Sequence, residues 1–111
     1  MNMVVNGGWR KTLMMMKLWI DDIRPAPDGF IWCKSVNQAK AAITAYEHQY
    51  SCDNILIDLD NDGEDYCRIL DWLEEENIVD TGYFFKIHSQ NPVGVMRMKD
   101  IIQHNCWRLV L

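Results

Sequence analysis

The chain has 111 residues, with 16 acidic against 11 basic side chains, a net charge of −5, and a 49% hydrophobic content that includes five tryptophans. That length builds one core rather than two, and that hydrophobicity excludes a disordered tail protein. The acid excess argues against extended nucleic acid and anionic membranes as partners, which select a dense basic face; a bound metal would invert the field for a small anionic ligand.

Residues 1–15, MNMVVNGGWRKTLMM, show no period and carry a Gly7-Gly8 pair, so they are expected to form a loose leader, or to precede a true start near Met16. The domain is then residues 16–111. Lys17-Leu18-Trp19-Ile20 is a short apolar run that ends in Asp21-Asp22, the pattern of a buried strand with two carboxylates at its C-terminal end. Arg24 to Gly29 must be loop, because Pro25 and Pro27 lock φ and remove backbone donors. Phe30–Cys33 reads as a second strand. Ser35 is placed to cap a helix over Val36–Tyr50, in which Val36, Ala39, Ile43 and Tyr46 recur at helical spacing.

Asn54–Asp60 is the third strand, turned by Asn61-Asp62-Gly63, and Tyr66–Glu76 has the spacing of a second helix. Tyr83–Ile87 is the fourth strand and ends in His88-Ser89. Pro92–His104 is the third helix, with proline in its first turn, and Trp107–Leu111 the fifth strand. Strands alternating with helices predict an α/β domain with a five-stranded parallel sheet and helices on both faces. The first connection is too short for a crossover helix of about a dozen residues, so the Pro-rich loop is expected to replace it. The four cysteines are far apart with no C-x-x-C, which predicts free thiols in a reducing compartment, and no apolar run reaches the roughly 18 residues of a membrane span. A soluble cytoplasmic protein is expected.

Ligands of open α/β sheets bind beyond the carboxyl ends of the strands. Asp21 and Asp22 end the first strand, Asp58, Asp60 and Asp62 end the third, and His88 and Ser89 end the fourth. Carboxylates converging on one rim repel one another unless a cation sits among them, and an all-oxygen donor set suits Mg²⁺ or Mn²⁺. His88-Ser89-Gln90-Asn91-Pro92-Val93-Gly94 forms a strand-to-helix turn that offers backbone N–H groups to an anion, with Ser89 and Asn91 adding side-chain donors and His88 a proton carrier. Asp58 to Gly63 matches the D-x-D-x-D-G opening of a calcium loop, but a strand precedes it and loop position 12 is Ile69, which excludes an EF-hand. The D-x-D of Asp58 and Asp60 likewise fits a dehalogenase-type phosphatase only in a much larger fold.

Leu18-Trp19-Ile20-Asp21-Asp22-Ile23-Arg24-Pro25-Ala26-Pro27 resembles the L-x-L-D-D-x-R-x-x-P opening of the cyclic-phosphate processing receiver domains of bacteria and phages. Ile57 to Asp62 lines up with the I-S-L-D-H-D segment of that family, and His88 to Gly94 with its H-S-x-N-P-x-G. The resemblance implies a receiver-like (flavodoxin-like) fold. By it Asp21 and Asp22 are the metal pair, Asp60 the third carboxylate and Ser89 the hydroxyl position; the strand-end reading adds Asp62 to the metal set, His88, Asp60 and Asn61 as catalytic candidates, and Arg24, Ser89, Asn91 and Gly94 as ligand contacts. Two positions depart from the pattern: Asn61 stands where the family has His, and Asp58 where it has Ser. With no lysine ending the fifth strand, phosphorelay is disfavoured. Three readings follow: a metal-dependent phosphoesterase acting on a cyclic phosphate or cyclic nucleotide, a module that binds such a ligand without turnover, and an interaction protein that keeps the fold with a residual site.

Overall fold

The computed structural model describes residues 15–49, 54–61 and 65–111. Apart from Met15, the expected leader lies outside the described residues. The element order is β1 (Met15–Ile20), β2 (Ile31–Cys33), α1 (Val36–Gln49), β3 (Asn54–Leu59), α2 (Cys67–Glu75), β4 (Tyr83–Ile87) and α3 (Pro92–His104). The four strands form one parallel sheet in the order β2-β1-β3-β4. Residues 21–30 between β1 and β2 form bends and a turn, without helix.

Two of the expectations are corrected. The segment Trp107–Leu111 is not a full fifth strand: it makes an isolated parallel bridge, Leu109 to Phe85, closed by hydrogen bonds from Phe85 N to Arg108 O and from Val110 N to Phe85 O. Leu111 is 99% exposed, so the chain leaves the sheet before a ladder can extend.

The second correction concerns the layers. Side chains alternate between the faces of a strand, and register partners share a face. Leu18 pairs with Ile31 and Ile57, and Ile57 with Phe85, so Leu18, Ile20, Cys33, Ile55, Ile57, Leu59, Tyr83 and Phe85 all look to one side, and all are buried. They share a single core cluster with residues of all three helices, among them Ile43, Leu70 and Ile102. Both crossovers, β2 to β3 and β3 to β4, step the same way across the sheet, and right-handed connections then put their helices on the same side. The helices therefore cover one face, not both. Among the described residues no helix covers the other.

Local signals position the helices. Ser35 Oγ accepts the N–H of Gln38 (3.1 Å) at the start of α1, as the capping reading expects. Tyr66, fully buried before α2, donates its hydroxyl to the Lys34 carbonyl (3.1 Å) and so ties the helical layer to the end of β2. Pro92 opens α3 in its first turn, where its missing N–H removes no helical bond.

Candidate functional site at the strand ends

The ladders end on Ile20, Leu59 and Ile87, and the backbone carries the pattern one residue further: Asp60 N donates to Ile20 O and His88 N to Leu59 O, each at 2.9 Å. Asp21, Asp60 and His88 thus form a row just past the last ladder pairs, on the side away from the helices. One ligand atom from each lies within 4.8 Å of the others, a group able to hold a metal ion. Asp21 and Asp60 are each 1% exposed.

These buried carboxylates are held in place by cations and backbone donors. Asp21 Oδ1 accepts the N–H groups of Ile23 and Arg24, both at 2.8 Å, because the chain turns sharply after β1. Its Oδ2 takes Arg24 Nη1 (3.2 Å) and His88 Nε2 (3.0 Å). Burial alone would raise the Asp21 pKa, but the N–H donors of Arg24 and Ile23, together with His88, outweigh it and hold the carboxyl below its ordinary value. The same Arg24 Nη1 reaches Asp60 Oδ1 at 3.2 Å and the His88 carbonyl at 3.3 Å. Arg24 is 38% exposed at its side chain, so the cation that joins the two buried acids is itself open to solvent.

His88 is fixed on three sides. Its Nδ1 lies 2.7 Å from Asp58 Oδ1, its Nε2 faces Asp21, and its ring stacks on Trp19 with centroids 3.7 Å apart and planes 6° from parallel. The Trp19 ring is itself anchored by its Nε1, which donates to the Arg24 carbonyl at 2.9 Å. Trp32 Nε1 donates to the Asp21 carbonyl at 2.6 Å. Asp58, at 3% exposure, therefore orients the histidine, a role that its reading as one of the strand-end acids missed. The signal was in the spacing: Asp58 and Asp60 are two apart on one strand and share a face.

The remaining candidates fall in different places. Asp22 is exposed and stands outside the Asp21–Asp60–His88 group, while Asp62 lies outside the described residues. Asn61 is 8% exposed and serves the turn: its Oδ1 accepts the Tyr66 N–H (3.0 Å), and its carbonyl accepts Asn91 Nδ2 (3.1 Å). Ser89 Oγ accepts the Asn91 N–H at 3.1 Å. Gly94 sits against Asn61 so closely that a Cβ there would fall 2.2 Å from the Asn61 amide nitrogen. Asn61, Asn91 and Gly94 thus clamp the β3–α2 turn to the start of α3, beside the row of acids.

A parallel sheet in the order 2-1-3-4 with an acidic pair after β1, an aspartate after β3 and a hydroxyl residue after β4 defines a receiver-like α/β domain. The model of the cyclic-phosphate processing receiver domain matches residues 16–104, and the chain belongs to that family. Comparison with curated proteins and with solved structures found no match.

The donor chemistry of the row fits a divalent ion. Two carboxylates supply hard oxygen ligands, and Arg24 Nη1 already stands as a positive charge 3.2 Å from each of them.

Proposed function

We propose that the rim binds a cyclic phosphate or cyclic nucleotide together with Mg²⁺ or Mn²⁺, and that it opens the phosphate ring by hydrolysis. The observation that carries this reading is the shared position of Arg24, within 3.2 Å of both Asp21 and Asp60 while its side chain remains 38% exposed. It puts a phosphate-binding guanidinium next to the group able to hold a metal. Asp21 and Asp60 would hold the ion, which would supply Lewis acidity toward a phosphoryl oxygen, and His88 Nε2 stays free for proton transfer.

The chain's own residues account for the rest. Arg24 pairs with the non-bridging phosphoryl oxygens. Asp58 keeps its hydrogen bond at Nδ1 of His88, so Nε2 is the atom that exchanges a proton at the rim. Water attacks phosphorus, one ring P–O bond breaks, the water proton passes through His88 Nε2 to the departing alkoxide, and a phosphomonoester results. Asn61, which cannot exchange a proton near neutral pH, holds the turn and takes no part in this transfer.

The alternative is binding without turnover, and one observation favours it: Asn61 occupies the position of the family's histidine and is buried in the turn. The two readings separate when the full chain is incubated with 2′,3′- and 3′,5′-cyclic nucleotides and Mg²⁺ or Mn²⁺ while product is followed. Hydrolysis is expected, abolished by His88→Ala and by Asp60→Asn. Saturable binding with no product over hours would support the non-catalytic module, and the absence of both binding and product would overturn the proposal.

A further inference from the structure

The face of the sheet turned away from the helices carries a surface that the rim chemistry does not use. Trp19, on β1, pairs in register with Trp32 and Asp58, and Asp58 with Lys86, so these four side chains form one row. The next row toward the strand N-termini holds Lys17, Leu56 and Phe84. Rings and cations alternate across this face. Lys34 Nζ lies 4.2 Å from the Trp32 ring centroid, Lys17 Nζ 5.4 Å from that of Phe30, and Arg108 Cζ 5.1 Å from that of Phe84.

Two features set this face apart from an ordinary solvated sheet. Lys17, Lys34, Lys86 and Arg108 have no ion-pair partner among the described residues, and Asp58, the carboxylate in their midst, is 3% exposed and engaged by His88. In the helical layer acids and bases are mixed: Asp71, Glu74, Glu75 and Asp100 share α2 and α3 with Arg68, Arg97 and Lys99. The net charge of −5 is a whole-chain sum and, among the described residues, pairs no acid with these four cations.

We propose that this open face binds single-stranded nucleic acid. Bases would stack on Trp32 at the β2 edge and on Phe84 at the β4 edge, displacing the cations that lie over these rings, and phosphates would lie against Lys17, Lys34, Lys86 and Arg108. Charge complementarity selects the occupant: unpaired cations beside aromatic rings match a strand that offers both phosphates and free base faces, whereas a duplex hides its base faces. The inference stands apart from ligand binding at the rim and draws on none of the carboxylates there.

The test is fluorescence anisotropy of the full chain with a labelled mixed-sequence single-stranded RNA or DNA, against the matching duplex and polyglutamate. Saturable binding is expected, weakening steeply between about 50 and 200 mM salt as phosphate contacts release counterions. The double variant Lys86→Glu/Arg108→Glu should lose at least tenfold in affinity with an unchanged circular dichroism spectrum; should it misfold, Lys34→Glu, at an exposed position, gives the same reading. No saturable binding, equal binding of the duplex or polyglutamate, or undiminished affinity in the folded charge-reversal variants would overturn the proposal. So would tighter binding of an acidic amphipathic peptide, which would mark the face as a protein-docking surface.

Discussion

Phe84 and Phe85 are neighbours on β4 and belong to two different environments. Phe85 faces the helices, is fully buried, and stacks on Trp107 with centroids 5.2 Å apart. Phe84 faces the side that no described helix covers and is half-buried beneath Arg108. The same contrast holds for the whole sheet: the covered side is apolar and supplies stability, while the other side carries the charged and aromatic groups, including the row that ends at Asp21, Asp60 and His88. Stability and chemistry are thus divided between the faces of one sheet, and substitutions should separate them.

The largest effect on folding is expected for Phe85→Ala, which removes a fully buried ring and should cost about 3–5 kcal/mol in urea unfolding. Phe84→Ala should cost well under half as much. Equal losses for the two would contradict the division.

Gly94→Ala comes next, because its Cβ would fall 2.2 Å from the Asn61 amide nitrogen. The overpacking should cost about 1–3 kcal/mol and disturb the clamp beside the rim, measured as a lower midpoint of unfolding and weaker ligand binding together. Ser35→Ala removes the cap on the Gln38 N–H and should cost about 1 kcal/mol; Ser35 is not one of the Asp21–Asp60–His88 group, so ligand binding should be unchanged.

The smallest effects concern the thiols. Burial pushes Cys33 and Cys67 up to about 11 from 9.0, whereas Cys106 is exposed. At pH 8 a thiol reagent should label Cys106 readily and the two buried residues only on unfolding. The sign of the pH dependence follows: folding disfavours their thiolates, so their contribution is fully present below pH 9.0 and is lost as pH rises toward about 11. An unfolding free energy that rose over that range would contradict the burial of both groups.

Much of this was legible in the sequence. The four strands, the three helices, the Ser35 cap and the placement of Asp21, Asp60 and His88 at strand ends all followed from apolar periodicity and turn chemistry. The layer arrangement did not. Trp19, Leu56 and Phe84 are apolar on the uncovered side, so each strand reads as a run buried on both faces, and periodicity alone predicts helices on both. The segment Trp107–Leu111 has the composition of a strand, but one bridge is all it forms before the exposed Leu111. The contact of Arg24 with Asp60, 36 residues away, and the stacking of Trp19 on His88 depend on how long side chains reach across the rim, which sequence spacing does not encode.

The central claim is that Arg24 and the Asp21–Asp60–His88 row form one ligand site. Its most direct test is the melting temperature of the full chain with Mn²⁺ and a cyclic nucleotide, in the parent protein and in Arg24→Ala and Asp60→Asn. A ligand well above its Kd stabilises the native state, so a clear upward shift is expected in the parent. Arg24→Ala should lose the nucleotide-dependent part and keep the response to metal, and Asp60→Asn should lose the response to metal. An unshifted parent protein, or shifts that survive both substitutions, would contradict the account.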